Sequence, residues 1–409
     1  MKFLLRNPFL TRPIKWGEPF CNREKELQTL IREAKNSGLV VLYGPRRCGK
    51  TSILNQLEGR LGNDWIRIEL DFTFVPNLRE LVIRLDEILT KALPKSKKIR
   101  KALAAKKVSL ELSFDPVTMT PSFGLGLKSK DAGSLIAESL IRLELLTSLP
   151  ELIDRRVLVT FDEFQEIIYA PDNKDHIYEK LFRGVFQKRP EGFSVVFCGS
   201  KNTVLRKMFS DRARMFYRGI KSLDINSLQE DFFIPFAEEN FSRTLGIDIP
   251  KVIPEVVCRF LDGHPYGLQK VMHNLWNLCD TEKTSGIDWP EALGIALRDF
   301  LLEELLPFQA HIGQLTPVQR KTFQAISGME DEYQSIFSKE SLGKIGLAQS
   351  SIALSLKALD EKGFLTKVPE IGHDRYVVTD IIDKLCLRIL SGVSVDEMTD
   401  RVILAVRSS

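Results

Sequence analysis

Short apolar runs alternate with segments of helical periodicity over the first 226 residues of the chain. Apolar runs lie at residues 40–43, 157–161 and 194–200, apolar and polar residues alternate at 65–70, and a last strand is predicted at 220–225. After the first run, Ile53, Leu54, Leu57 and Leu61 recur at the spacing of one helix face. Near-continuous apolar runs are typical of parallel strands that are covered on both faces. The pattern therefore predicts an α/β fold with a parallel sheet.

This alternation is interrupted between residues 95 and 131. Seven basic residues are concentrated at positions 95–107, and apolar residues then alternate with polar ones before and after Asp115-Pro116. The alternation predicts a β-hairpin insertion with one apolar face. We interpret the basic run as a solvated helix face, and a nucleic-acid or partner contact is the alternative.

Residues 227–310, which follow the segment with alternating strands and helices, show helical periodicity only. Residues 262–267 interrupt it, and a new helix is predicted around Pro265, because a proline in the first turn of a helix has no N–H that needs a partner. This segment is predicted to be an all-helical domain that follows the sheet.

Residues 311–409 have a third pattern, three helices followed by two strands around the polar turn at 372–374. Three helices with a two-stranded wing predict a winged helix-turn-helix domain. The helix that such a domain inserts into the DNA major groove would carry Gln349, Ser350, Ser351, Ser355 and Lys357.

Charge, cysteine content and the length of apolar runs limit the classes of protein to which the chain can belong. Among 409 residues, 58 are basic and 54 acidic, so the net charge of +4 gives no argument for nucleic-acid binding by the whole chain. The six cysteines contain no C-x-x-C pair, which predicts a reducing compartment and no zinc site. No apolar run is long enough for a signal-peptide core or a membrane span, so we expect a cytoplasmic protein.

The strongest motif follows the first strand. Residues 44–51 fit G-x-x-x-x-G-K-S/T, a phosphate-binding loop, called the phosphate loop below. In such a loop backbone N–H groups converge on the phosphates, the lysine lies between the β- and γ-phosphates, and the last hydroxyl binds Mg²⁺. The predicted nucleotide contacts are Gly44, Pro45, Arg46, Arg47, Cys48, Gly49, Lys50, Thr51 and Ser52, with Thr51 also a metal ligand.

A second motif ends the apolar run at residues 157–161, where Asp162 and Glu163 follow directly. This is the Walker B pattern, in which Asp162 would hold Mg²⁺ through water and Glu163 would orient and deprotonate the attacking water. Adjacent acids of this kind imply an extra strand between the loop strand and the Walker B strand. Residues 194–200 are the candidate, and Ser200 would then contact the γ-phosphate or the water, or alternatively cap the next helix.

Three arginines, Arg212, Arg214 and Arg218, lie between the strand at 194–200 and the last predicted strand. P-loop enzymes carry an arginine that meets the γ-phosphate at this place in the chain. Arg214 and Arg218 are therefore candidate catalytic residues.

Together these motifs resemble the archaeal-type ATPases of the AAA+/STAND group of P-loop NTPases, which are related to origin-recognition initiators. The motifs that carry the resemblance are at residues 20–27, 44–51, 161–163, 217–218, 263–265 and 378–380. The resemblance implies an ATPase core in residues 1–226, a helical lid in 227–310 and a winged helix in 311–409. It also makes Arg23 a candidate nucleotide contact and places Pro265 near the adenine.

The chain departs from the family pattern at two places. Asn22 stands where the family usually has glycine, and we predict that it caps the following helix. Tyr217-Arg218-Gly219 replaces the usual Tyr-Gly-Arg, which leaves open whether Arg214 or Arg218 faces the phosphate.

We therefore expect a Mg²⁺-dependent ATP-hydrolysing switch that couples nucleotide state to the winged helix. The alternative is a nucleotide-sensing scaffold that does not turn over. ATP should be preferred to GTP, because the N-K-x-D signature of GTP-binding proteins is missing. Duplex DNA or a protein partner would bind the winged helix and the basic insertion, and the protein would be a monomer or a nucleotide-dependent homo-oligomer.

Overall fold

The computed structural model describes residues 7–93, 112–114, 121–123, 131–200, 202–210, 219–282, 286–328, 336–337, 342–343, 345–370 and 373–408. Its strands are β1 Leu39–Tyr43, β2 Trp65–Asp71, β3 Leu112–Phe114, β4 Pro121–Phe123, β5 Arg156–Asp162, β6 Phe193–Gly199, β7 Lys221–Asp224, β8 Leu365–Glu370 and β9 His373–Val378. Five of these strands form one parallel sheet in the order β2-β5-β6-β1-β7. The predicted α/β fold with a parallel sheet is confirmed.

The helices of the first half surround this sheet. They are α1 Glu24–Lys35, α2 Lys50–Leu61, α3 Leu78–Ala92, α4 Ala132–Thr147, α5 Leu149–Ile153, α6 Ile177–Phe186 and α7 Asn202–Ser210. The helices of the second half are α8 Glu230–Leu245, α9 Val252–Phe260, α10 Pro265–Glu282, α11 Trp289–Ile312, α12 Pro317–Ser327, α13 Gln349–Glu361, α14 Ile381–Leu390 and α15 Val395–Arg407.

Strand β6 lies between the phosphate-loop strand β1 and the Walker B strand β5, so the predicted extra strand is present. Phe197 of β6 is in register with Val41 on one side and with Phe161 on the other. Because parallel strands end at the same edge of a sheet, the residues that follow β1, β5 and β6 meet there. This edge brings together the phosphate loop, the Walker B acids and Ser200.

Alternate residues of the central strands pack on opposite faces of the sheet. Val195 and Phe197 face α3, α4 and α6, whereas Val196 and Cys198 face α1 and α2. The first face carries a cluster of rings in edge, tilted or stacked contact: Phe72, Phe161, Phe164, Phe182, Phe186, Phe193, Phe197 and Phe209. This two-sided burial holds the strand ends in fixed relative positions.

The second half has one hydrophobic core of its own. It runs from α8 through α11 into the C-terminal module, by which we mean α12 to α15 with β8 and β9, and it includes Trp276, Phe300, Ile352 and Leu387. Helix α12 begins with a capping box, in which Thr316 and Gln319 exchange side-chain to backbone hydrogen bonds. Strands β8 and β9 pair antiparallel. The second of the three helices predicted for this domain, at residues 339–345, lies mostly outside the described residues, so the winged helix stays a prediction.

The insertion at 95–131 also lies largely outside the described residues, apart from β3 and β4. These two strands pair antiparallel, with Leu112 opposite Phe123. The basic run at 95–107 lies outside the described residues.

Residues 7–23, called the strap below, cross from the helices of residues 227–310 to α2. No periodicity in the sequence predicts this segment. Phe9 is fully buried against Phe236 and Phe241 of α8, and its carbonyl lies 2.7 Å from Nδ1 of His273 on α10. Ile14 donates its backbone N–H to Ser52 of α2 at 3.0 Å. The strap thereby links the second-half core to the helix that starts at the phosphate loop.

All six cysteines are buried, and none of them forms a disulfide. Among the described residues, none of the helices is both long and apolar enough to cross a membrane.

Candidate active site

The phosphate loop joins the buried strand β1 to helix α2 by a tight turn. A side chain at Gly44 would bring its Cβ to 2.5 Å from Sγ of Cys48, so only glycine fits there. Arg47 and Gly49 adopt left-handed backbone conformations, with φ of 59° and 96°. Lys50 Nζ donates to the carbonyls of Gly44 and Pro45, each at 2.7 Å. The ammonium group is therefore held inside the loop, at the start of α2.

Asp162 lies at the end of β5, where it is in register with Asp71 of β2. Burial and the neighbouring Glu163 raise the pKa of Asp162, while the nearby Lys50 ammonium acts in the opposite direction. The site thus concentrates negative charge beside the phosphate loop, which is an environment suited to a cation.

Glu163 has a left-handed backbone, with φ of 47°, and two neighbours hold its carboxylate. Ser200 at the end of β6 donates its hydroxyl to Oε2 at 2.8 Å, and Gln165 donates its amide to the same oxygen at 2.5 Å. Gln165 is fully buried, and a Cβ at Gly199 would lie 1.8 Å from its Oε1. Ser200 therefore contacts the predicted base directly. The sequence did not single out Gln165, although it lies only two residues after Glu163.

A cavity of about 340 Å³ unites these groups, with walls from the phosphate loop, the Walker B acids, the strap and α10. The predicted site residues that line it are Arg23, Arg46, Arg47, Cys48, Gly49, Lys50, Thr51, Ser52, Asp162, Glu163 and Pro265. Gly44 and Pro45 contact Lys50, and Ser200 contacts Glu163, just outside its walls. Arg214 and Arg218 lie outside the described residues.

Arg23 lines the cavity but uses its guanidinium on the protein. It donates to the carbonyl of Asn226 at 2.5 Å and contacts Glu26 at 3.3 Å. The prediction that Asn22 caps α1 is wrong. The position before the helix is Arg23, with φ of 76° and no side-chain cap, and Asn22 is itself left-handed with φ of 57°. Because Arg23 anchors to Asn226, the turn is set by this long-range contact and not by a cap.

The two arginines of the phosphate loop reach out of the sheet domain toward the second half of the chain. Arg47 pairs with Glu304 of α11 at 2.5 Å, and its guanidinium lies 4.4 Å from the ring centre of Tyr266. The Tyr266 hydroxyl donates to the same Glu304 carboxylate at 2.6 Å. The side chain of Glu304 is only 8% exposed, whereas that of Arg47 is 44% exposed, so the carboxylate is buried and the arginine still meets solvent. Glu304 and Tyr266 are partners that no local motif indicated.

A narrow crevice separates the loop from the C-terminal module. Pro45, Arg46 and Ser200 line one wall, and the other wall includes Asp380 and Asp383. Burial and the neighbouring Asp380 raise the pKa of Asp383 to about 7, and Arg47 and Arg46 act in the opposite direction. The carboxyl groups of the C-terminal module therefore face the arginines of the phosphate loop.

His264 lies beside the same junction. Its Nδ1 accepts from the N–H of Gly267 at 3.2 Å, and its Nε2 lies 3.7 Å from Asp380. Burial lowers the pKa of His264, with Asp380 opposing. The imidazole thus lies between the start of α10 and Asp380 of the C-terminal module.

Comparisons with known proteins agree with this geometry. The family model for an ATPase domain predominantly from Archaea matches residues 20–271. The chain is similar to the solved Walker-type ATPase of Pyrococcus abyssi, with a TM-score of 0.64 and 21% identity over 93% of this chain and 99% of that one. It is also similar to the ORC2 protein of Aeropyrum pernix in its ADPNP–ADP complexes, with a TM-score of 0.58 and 14% identity over 99% of both chains. At these identities the two structures show a shared fold alone. No curated protein matches the sequence.

Proposed function

The chain belongs to the family of ATPase domains found predominantly in Archaea and is an ATP-hydrolysing P-loop enzyme, and we propose that it works as a Mg²⁺-dependent molecular switch. The observation that carries the proposal is the single cavity into which Lys50, Thr51, Asp162 and Glu163 all open. These are the groups needed to bind the phosphates, to hold a cation and to activate water.

The residues at the loop fit a magnesium ion. Thr51 offers a hydroxyl and Asp162 a carboxylate on the same cavity, and Mg²⁺ prefers oxygen ligands of this kind together with substrate phosphates. The raised pKa of Asp162 reflects buried negative charge that a cation would offset. When bound, Mg²⁺ supplies positive charge that stabilises the phosphates during hydrolysis.

Glu163 is proposed as the general base. Its carboxylate, held by Ser200 and Gln165, would accept a proton from the water that attacks the γ-phosphate. Lys50 would leave the loop carbonyls for the phosphate oxygens, since a charged acceptor makes the stronger hydrogen bond. The alternative function is a nucleotide-sensing scaffold that does not hydrolyse ATP. It would use the same binding groups but would not use Glu163 as a base.

Single-turnover hydrolysis tests the assignment. We expect Glu163→Gln to bind ATP with nearly unchanged affinity and to lose about 100-fold or more in rate, within the range for removal of a general base. Glu166→Gln is the matched control, since Glu166 follows on the same turn but does not line the cavity, and it should hydrolyse at the parent rate. A Glu163→Gln protein as fast as the parent would exclude this base, and a parent without turnover would favour the scaffold.

We further propose that nucleotide binding changes the contact between the phosphate loop and the C-terminal module. A nucleoside triphosphate would place several negative charges beside Arg46 and Arg47, where carboxylates of the helical segment and the C-terminal module now lie. Glu304 pairs with Arg47, and Asp380 and Asp383 line the crevice next to Arg46. Phosphates and carboxylates would compete for the same two arginines, so ATP would weaken the contact.

The partner of the C-terminal module is proposed to be duplex DNA, with a protein as the alternative. Helix α13 supports this, since Gln349, Ser350 and Lys357 are exposed, although Ser355 is only 5% exposed and does not belong to the exposed face. The hydroxyl of Tyr169, six residues after Glu163, donates to the carbonyl of Glu361 at the end of this helix at 3.5 Å. Helix α13, which we propose contacts DNA, therefore also contacts the segment that follows Glu163, the proposed general base.

Salt dependence separates these partners. A DNA-binding surface loses affinity linearly in the logarithm of salt concentration, and Lys357→Ala should reduce that slope by about 0.9 if it contacts one phosphate. Lys251→Ala, an exposed lysine at the start of α9, is the control. Anisotropy titrations with and without ATP measure both slopes. No binding at low salt in either nucleotide state would leave a protein as the partner.

A further inference from the structure

The cavity extends well beyond the phosphate loop. Lys50 and the N-terminus of α2 line the end of the cavity where phosphates would bind. The rest of the cavity lies between the strap and the first turns of α10. If a nucleotide binds its phosphates at the loop, this remaining part takes the nucleoside. The inference below rests on that proposed function.

Gln269 projects into this part of the cavity from α10, one helical turn after Pro265. The residue is only 6% exposed, yet its Oε1 has no hydrogen-bond partner among the described residues. A buried amide oxygen without a partner carries a free-energy cost that evolution and folding rarely leave uncompensated. The Oε1 atom of Gln269 therefore lacks a hydrogen bond until a ligand with a donor group enters the cavity.

The polar side chains that hold the strap already have partners within the protein. The amide of Asn55 donates to the carbonyl of Ile14 at 3.0 Å, and Gln56 donates to the carbonyl of Lys15 at 2.8 Å. Arg23 is bound to Asn226. These contacts fix the strap against α2 and leave Gln269 as a polar group available to a ligand on the wall formed by α10.

We propose that Gln269 determines the base specificity of the site by reading the 6-amino group of adenine. Its Oε1 accepts a hydrogen bond from that amino group, and its Nε2 donates to N7, the pairing by which a carboxamide distinguishes adenine. Guanine presents two acceptors, O6 and N7, on the same edge. Rotation of the amide cannot match both, so guanine leaves one polar atom opposed by a like atom.

Competition binding on the full chain, with a fluorescent ATP analogue displaced by ATP, GTP or purine riboside triphosphate, tests this. Purine riboside triphosphate lacks only the 6-amino group of ATP. The parent should bind it at least about fivefold more weakly than ATP, because one good base contact is worth that much or more. In Gln269→Leu, which keeps the volume and removes the amide, the two should bind within about twofold of each other.

Two further variants control the result. Gln269→Glu keeps an acceptor and should keep the preference for the 6-amino group, and it guards against a misfolded leucine variant. Lys270→Met removes the next side chain on α10, which pairs with Glu303 at 2.5 Å, and should behave like the parent. Thermal unfolding without nucleotide shows whether each variant is folded.

A folded Gln269→Leu protein that still discriminates against purine riboside triphosphate as the parent does would overturn the proposal. A parent that binds all three nucleotides equally would overturn it too, while leaving the ATPase assignment intact. A parent that binds none of them would contradict the proposed function itself, and with it this inference.

Discussion

Gly44 illustrates how single residues decide the conformation of the phosphate loop. An added Cβ would lie 2.5 Å from Sγ of Cys48 and 3.2 Å from both Cβ and the carbonyl oxygen of Ile225. Ile225 directly follows β7. Gly44 therefore lies close to the end of this strand as well as to Cys48 of its own loop. The motif predicted the glycine, but only the structure shows what it must avoid.

Gly44→Ala is expected to weaken ATP binding by at least about tenfold, because the loop must open to relieve the clash, at a cost of about 1–3 kcal/mol in the free energy of unfolding. Gly184→Ala is the matched control. Gly184 lies exposed in α6 with open space around it, so alanine there should raise the free energy of unfolding by about 0.5–1 kcal/mol. Isothermal titration and urea unfolding measure both effects. Unchanged ATP affinity in Gly44→Ala would contradict this description of the loop.

Local sequence could predict the site residues whose chemistry depends on near neighbours. Lys50, Asp162 and Glu163 belong to motifs in which strand, loop and helix follow each other within a few residues. Gln165 lies close to its partner Glu163 but belongs to no motif that would mark it. Glu304 could not be predicted, because its partner Arg47 lies in a distant segment of the chain. The same reason explains the wrong prediction for Asn22, where a long-range bond of Arg23 decides the turn.

Among the elements, regular ones were predictable and the strap was not. The strand β6 was predicted within one residue, because a buried parallel strand is a continuous apolar run with clear ends. The strap at residues 7–23 has no period and gains its structure from contacts with α2, α8 and α10. Its contribution to the cavity wall is therefore visible only in the folded chain.

The strap should contribute to stability mainly through Phe9. Phe9→Ala is expected to lower the free energy of unfolding by about 3–5 kcal/mol, because the ring is fully buried among other aromatic side chains. Leu306→Ala, at a site 73% exposed on α11, should change it by less than about 0.5 kcal/mol. Urea unfolding of both variants decides the matter. Equal, small effects would mean that the strap is not part of the core.

At the scale of the whole molecule, the phosphate loop, the helical segment and the C-terminal module meet at a junction of opposite charges. Arg46 and Arg47 face Glu304, Asp380 and Asp383 there. The sequence pattern predicts a sheet domain, a helical domain and a winged helix in this order along the chain. It could not predict this junction, because each charge belongs to a different element and none of them forms a motif with another.

Asp383 makes the junction sensitive to pH. Its pKa is raised to about 7 by burial and by Asp380, with Glu304 adding to the effect and Arg47 and Arg46 opposing it. The folded protein therefore binds more protons at this site than the unfolded chain between about pH 4 and pH 7, and its stability falls as pH rises through that window.

Asp383→Asn cannot titrate, so it isolates this effect. The free energy of unfolding of the parent relative to Asp383→Asn should fall with a slope of at most about 1.4 kcal/mol per pH unit up to about pH 7 and be constant above it. Urea unfolding between about pH 5 and pH 8 measures the difference. Parallel pH profiles for the two proteins would show that Asp383 titrates normally.

The central claim is that ATP loosens the contact between the phosphate loop and the C-terminal module. Spin labels on cysteines introduced at Gln187 of the sheet domain and Lys357 of α13, both exposed positions, measure the distance between the two parts. The labels would be placed in the Glu163→Gln background so that ATP persists. We predict one short distance without nucleotide and with ADP, and a longer one with ATP and Mg²⁺. The same distance distribution in all three states would contradict the switch.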